Sequence, residues 1–250
     1  MTNSVTAPAS EALQHGSKSK ALLGLCRVSN LPTVWMNVLA GALLARGAFG
    51  VGEVVLLAFS ISALYAFGMC LNDLFDRESD ATHQPYRPIP AGRLSVAEAR
   101  LVAGALVITG LACVFWVGHP GTLGVGLVLV ALITTYDWIH KRHASSVLLM
   151  AACRFLVFAL TGWAVAGEIG AWVIAGGVLC FTYTLLISVV ARAENARAEP
   201  FSVPVIPRMI AGMSLVDGAF LALVVAPSWL LAGAAAALLT HYGQRYVRGD

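Results

Sequence analysis

The sequence predicts an all-α, polytopic transmembrane helical bundle, and three observations predict it. Hydrophobic residues make up 58% of the chain and charged residues 12%, where an ordinary soluble domain carries about 25% charged residues. Apolar runs of spanning length, about 20 residues, recur along almost the whole chain. Every long polar connection falls on one side of the resulting layout, together with nearly all of the Lys and Arg. About eight spans follow, near 30–49, 51–71, 96–117, 121–139, 146–166, 170–190, 203–225 and 227–244. A ninth helix is short or absent. The spans fall into two four-helix halves, which are expected to pseudo-repeat around a central cavity, as membrane proteins built from repeats do.

The same composition excludes several classes. A net charge of +3 is too small to imply a nucleic-acid partner. Cys26, Cys70, Cys113, Cys153 and Cys180 show no paired spacing, so neither a disulfide framework nor a zinc site is expected. Most of them sit in apolar runs, where Cys behaves as a small hydrophobe.

Residues 1–27 read as a cytoplasmic N-terminal tail, rich in Ser and Ala and ending in Lys18, Lys20 and Arg27. No apolar core begins before Arg27, which argues against a cleavable signal. Residues 28–250 form the transmembrane domain. In the first span Asn30 and Asn37 are seven apart and share a face.

The second span closes on Asn72-Asp73-Leu74-Phe75-Asp76-Arg77-Glu78-Ser79-Asp80, the stretch around which the rest of the chain is organised. If the helix continues through it, Asp73, Asp76 and Asp80 share one face, with Asn72 close by. Like charges so placed repel one another unless a cation sits between them. A hard divalent ion carrying a phosphate substrate is the natural cation, and Mg²⁺ binds in this way. The other reading is a solvated polar face after a membrane span. Acids where a span meets water are functional candidates by default.

Pro85, Pro88 and Pro90 then favour extended backbone, Gly92 permits a tight turn, and Ser95-Val96-Ala97-Glu98 is a capping box that starts the third span. Between them Arg87 and Arg93 suit either a phosphate, which a guanidinium grips with two parallel hydrogen bonds, or lipid headgroups. The fourth span ends in Tyr136-Asp137-Trp138-Ile139-His140-Lys141. Tyr136 and Trp138 suit the headgroup level. Lys141 is either a topological anchor or a ligand for a diphosphate oxygen, and His140 and His143 read as interfacial. The sixth span ends in Arg192-Ala193-Glu194-Asn195-Ala196-Arg197-Ala198-Glu199, either an ordinary salt-bridged helix end or a second polar wall of the same cavity mouth.

Lys18, Lys20, Arg27, Arg77, Arg87, Arg93, Arg100, Lys141, Arg142, Arg154, Arg192, Arg197, Arg208, Arg245 and Arg248 all lie on the side of the long loops, against Arg46 on the other. The positive-inside rule assigns that side and both termini to the cytoplasm. Inside the spans, Arg154, Arg208 and Asp217 are costly at membrane depth and are expected to face protein or water. Arg154 is placed to line the cavity.

The pattern Asn72-Asp73, Asp76, Asp80 followed by Arg87-Pro88-Ile89-Pro90-Ala91-Gly92 resembles the UbiA-type superfamily of intramembrane prenyltransferases. A weaker likeness runs through nearly the whole chain and takes in Tyr136 to Lys141. The resemblance implies a cavity open sideways to lipid and an isoprenyl diphosphate held through Mg²⁺ by Asp73, Asp76 and Asp80. It places Asn72, Arg87 and Lys141 at the diphosphate and gives Asp73 and Asp76 the catalytic part, while Tyr136 and Arg154, from their own positions, and Arg192 and Glu194, as a replacement for the metal's charge or as a metal ligand, are expected at the same substrate site. Ionisation would release pyrophosphate, and an aromatic or other electron-rich acceptor would capture the allylic cation. The chain departs from the pattern after the sixth span, where the family's second aspartate-rich motif is replaced by Arg192-Ala193-Glu194. The Tyr136–Lys141 separation is also longer than the commonest family form. These departures are similar to a divergent branch, the EboC-like proteins of secondary-metabolite gene clusters. The alternative expectation is a family member that binds or moves an isoprenoid or aromatic metabolite without turning it over. The aspartate-rich signature expected of phospho-alcohol transfer between lipids, with its own D-G and A-R elements in one motif, is not found.

Overall fold

The protein is described by a computed structural model over residues 18–45, 50–117, 119–197 and 201–247. The first half of the expected tail, Arg46, Glu199 and Arg248 lie outside these described residues. Among the described residues all regular structure is helical. The helices are α1 (Lys18–Leu25), α2 (Leu31–Ala45), α3 (Val51–His83), α4 (Val96–Trp116), α5 (Thr122–Ile139), α6 (Val147–Ala166), α7 (Ala171–Asn195), α8 (Val205–Val224) and α9 (Trp229–Gly243). Single 3₁₀ turns precede α2 (Val28–Asn30) and α6 (Ala144–Ser146).

Helices α2 to α9 match the eight expected spans. Seven segments, among them α3 to α8, are long and apolar enough to cross a membrane. At 15 residues, α9 reaches only about 22 Å, short of a hydrocarbon core of about 30 Å. The halves α2–α5 and α6–α9 meet along α2, which packs against α3, α6, α7, α8 and α9. One apolar cluster joins α2, α3, α4, α5 and α6 through Val34, Leu57, Leu64, Val114, Leu129 and Leu160. A second joins α2 to the other half through Met36, Leu44, Phe158, Val173, Met213 and Leu221. Helices α8 and α9 touch backbone to backbone. A Cβ on Gly218 would lie 2.8 Å from the Gly233 Cα, and one on Gly233 only 2.5 Å from the Ser214 carbonyl oxygen.

Three boundaries depart from expectation. The expected second span ends at residue 71, whereas α3 runs on to His83 for 33 residues, about 50 Å. Its last turns therefore project past the apolar layer, and the polar loop begins only at Gln84. The proline-rich segment is not extended. Ala91 N–H bonds Arg87 O, and Arg93 and Leu94 N–H both bond Pro88 O at 3.0 and 3.2 Å. Gly92 takes a left-handed φ of 69°, so the chain folds back onto α3. The second half of the supposed tail is α1, whose Ala21 and Leu25 are buried against Phe67, Cys70 and Leu74 of α3. The Ser95–Glu98 capping box forms as expected, and Lys18 of α1 clasps Glu98 at 2.8 Å.

Candidate active site at the polar end of the bundle

Because α3 stays helical through the aspartates, Asp73 and Asp80, two turns apart, share one azimuth and Asp76 lies about a sixth of a turn away. All three are buried, at 2%, 2% and 6% exposure. Buried carboxylates need partners, and the structure supplies cations from three separate segments. Arg87, in the turn after α3, bridges Asp73 at 3.3 Å and Asp80 at 2.7 Å, while its Nε donates to Gln84 at 3.0 Å. Arg27, between α1 and α2, reaches Asp73 and the Asn72 side-chain oxygen, both at 3.4 Å. On the other flank, Lys141 Nζ lies 2.9 Å from Asp76 and His140 Nε2 lies 3.2 Å from it. The Asp76 hydrogen bond holds the His140 imidazole above the ordinary histidine pKa.

Beneath this ridge lies a mostly apolar cavity of about 210 Å³ between α2, α3, α5 and α6, with Arg27, Asn72, Tyr136, Asp137 and Arg154 in its wall. Tyr136 faces His140, with ring centroids 5.3 Å apart. Arg154 sits 5.8 Å over the Tyr65 ring and donates to Asn37 at 2.7 Å. Asn37 in turn donates to the buried Asp217 of α8. On the far side of Arg27 a second cavity, of about 300 Å³, is lined by Lys20, Arg27, Asp73, Tyr86, Arg87 and Arg93.

The structure thus brings Asn72, Asp73, Asp76, Asp80, Arg87, Tyr136, Lys141 and Arg154 to one end of the bundle. Arg192 and Glu194 are not drawn in. Arg192 donates to the Ala144 carbonyl, and Glu194 accepts from the Phe201 amide at 3.2 Å. Arg197 lies 5.1 Å over the Phe201 ring. Arg93 turns to the Tyr86 carbonyl.

Three residues escaped the sequence reading. His140, read as interfacial, is also a partner of Asp76. Arg27 is an ion-pair partner as well as a topological charge, through a contact 46 residues away in sequence. Asp137 sits in the cavity wall at 2% exposure. Its Oδ1 accepts from Asn72 at 3.3 Å, and its Oδ2 has no hydrogen-bond partner. An acid in the last turn of an apolar span was the available signal for it.

The UbiA prenyltransferase family model matches residues 34–248. The digeranylgeranylglyceryl phosphate synthase of Ignicoccus hospitalis is 40% identical over 98 residues, which is 39% of this chain and 32% of that protein. The synthase of Saccharolobus solfataricus is 29% identical over 122 residues, 48% of this chain and 41% of that protein. The matches therefore span only about a third to two fifths of these relatives. In fold, a UbiA homolog from Archaeoglobus fulgidus bound to DMAPP and Mg²⁺ superposes with a TM-score of 0.61 at 17% identity, covering 90% of this chain and 98% of that one.

Proposed function

We propose that this chain, which belongs to the UbiA prenyltransferase family, transfers the isoprenyl group of an isoprenyl diphosphate to an electron-rich acceptor within the membrane, using Mg²⁺. The observation that carries the reading is the ridge of three buried aspartates flanked by Arg27, Arg87, His140 and Lys141 directly above an apolar cavity.

The donor set suits the metal. Carboxylate oxygens are hard ligands, and Mg²⁺ is ordinarily held by one or two of them together with substrate phosphates rather than by an all-protein cage. Accordingly, no group of three or more His, Cys, Asp or Glu among the described residues is arranged to hold a metal alone. Asp73 and Asp76 would hold it. Asp80, paired at 2.7 Å with Arg87, fixes that guanidinium. Bound Mg²⁺ would supply charge neutralisation of the leaving diphosphate.

The residues of the chain do the rest. Arg27, Arg87 and Lys141 are paired with carboxylates in the free protein and are placed to exchange them for diphosphate oxygens. Arginine matches such oxygens with a planar fork. The isoprenyl chain would lie in the apolar cavity, which slows the access of water to the allylic cation without abolishing it. Arg154 and Tyr65 line that cavity and would face the acceptor. The names of the archaeal relatives point to a glyceryl phosphate acceptor, whereas the family resemblance in the sequence suggests an aromatic one. The cytoplasm is the expected side of the polar end.

One observation favours a second reading. Arg192 and Glu194 stand where a second acidic motif is expected and make contacts away from both cavities. A chain that binds or carries an isoprenoid in a secondary-metabolite pathway, without turnover, would have that arrangement. Binding of labelled geranyl diphosphate to the purified protein separates the two. The transferase reading expects binding that needs Mg²⁺ and fails in Asp73→Asn, with slow pyrophosphate release from the wild type. Binding indifferent to both metal and Asp73 would overturn it and favour the carrier.

A further inference from the structure

We propose that Asp137 is the catalytic base of this site, its Oδ2 taking the proton that the acceptor releases as its bond to the isoprenyl group forms. The inference rests on the prenyl-transfer reading above.

A buried polar atom without a partner calls for an explanation. Asp137 is 2% exposed. Asn72 holds its Oδ1 at 3.3 Å, which fixes the plane of the carboxylate, and leaves Oδ2 with no hydrogen-bond partner. Among the described residues that line the apolar cavity it is the one carboxylate. The other acids at this end serve badly as bases. Asp73, Asp76 and Asp80 each face one or two cations at 3.4 Å or less, so their oxygens are already engaged in ion pairs. Glu194 is tied to the Phe201 amide outside the cavity.

The position also fits the order of events. Asn72 belongs to the acidic ridge on one side and touches Asp137 on the other. The diphosphate therefore departs above, and the nucleophile arrives below, on the side of Asp137. The C1–O bond breaks with its electron pair staying on the diphosphate oxygen. A lone pair of the acceptor oxygen closes on C1. The O–H pair stays on that oxygen, and the proton passes to Asp137 Oδ2. Where the acceptor is an aromatic carbon, its C–H pair restores the ring and the proton goes to the same atom.

The test needs no identified acceptor, because water is present in every assay. The probe is geranyl diphosphate carrying heavy oxygen at the bridging position, with Mg²⁺ and the full chain in lipid nanodiscs. Scrambling of the label into non-bridging positions reads bond cleavage and return. Formation of the alcohol reads capture with proton loss. Asp137→Asn should scramble at the wild-type rate and form alcohol about 100-fold more slowly, within the usual worth of a general base. Asp137→Ala should recover alcohol formation on addition of formate, which a purely structural defect would not do. Unchanged alcohol formation in Asp137→Asn overturns the inference. So does loss of both signals, which would place Asp137 in diphosphate binding or bond cleavage. A wild type that binds the probe but neither scrambles nor captures it sinks the prenyl-transfer reading, and the inference with it.

Discussion

Replacing Arg87 with Met isolates what the guanidinium does for the acidic ridge. In the free protein Arg87 is the partner of Asp80 and one of the two cations on Asp73. Its side chain is 11% exposed and both aspartate side chains are 3% exposed. Methionine fills much of the same volume without the charge, so the change strips the pairing and leaves Asp80 uncompensated. Removing one partner of a buried pair costs about 3–5 kcal/mol, because the remaining charge stays out of water. For a chain of this size about 2–4 °C accompanies each kcal/mol, so the unfolding temperature in detergent should fall by roughly 6–20 °C. The sign of the ligand effects then distinguishes this account from simple damage. Mg²⁺ alone should restore part of the lost stability to Arg87→Met and do little for the wild type, whose carboxylates are already neutralised. Geranyl diphosphate with Mg²⁺ should bind the variant at least tenfold more weakly. Unfolding at the wild-type temperature, or Mg²⁺ acting equally on both proteins, would refute the reasoning.

Other perturbations probe the flanks of the site. Asn37→Leu removes the acceptor for Arg154 and the donor to Asp217. With each of the two buried groups left unsatisfied costing about 1–3 kcal/mol, a loss of about 2–6 kcal/mol is expected in thermal unfolding, and a wild-type midpoint would refute the network. His140 supplies a pH signature. Its pKa is raised by Asp76, so its contribution to stability is full below the unfolded value of about 6.5. That contribution is lost as pH rises through the higher folded value. Ligand-free wild type should therefore lose stability across that window relative to His140→Gln, and parallel curves would count against the pair.

The spans were legible because a membrane helix announces itself through length and hydropathy, which are local properties. The end of α3 was not, because hydropathy stops at Leu71 while backbone hydrogen bonding continues to His83. About three polar turns stay helical when their acids find cations close by, and those cations come from Arg27, Arg87, His140 and Lys141. Two of these were anticipated as phosphate ligands, Arg87 from the loop and Lys141 from the end of the fourth span. The loop chemistry alone suited Arg87 and Arg93 equally, and the fold-back at Gly92 that turns Arg87 to the ridge is not revealed by a run of prolines. The partner of Asp217 was equally hidden. Asn37 lies 180 residues away, and nothing local to either residue marks the contact. Arg192 and Glu194 are the converse case. They sit in the expected place along the chain, but their side chains satisfy loop backbone instead of the cavity.

The missing acids at the end of α7 bear on how many metal ions the site takes. A divalent cation bridging a diphosphate to protein needs carboxylates on the side from which it binds. On α3 these exist. At the end of α7, Arg192 is a cation and Glu194 is committed to the Phe201 amide. Across the cavity stand fixed cations instead, with Arg27, Arg87 and Lys141 all within reach of the ridge. A guanidinium neutralises a phosphate oxygen without needing carboxylates of its own, so on the proposed reading fixed charge would take the place of a second ion. Adding that ion would place its charge beside Arg192 with no acid to offset it. Titration of Mg²⁺ into the protein saturated with geranyl diphosphate should therefore reach one ion per chain. Arg192→Asp, which returns a carboxylate to α7, should open a second and weaker site. Two ions in the wild type would show that Glu194 leaves the Phe201 amide when substrate binds, and the division of labour between metal and arginine argued from the free protein would be wrong.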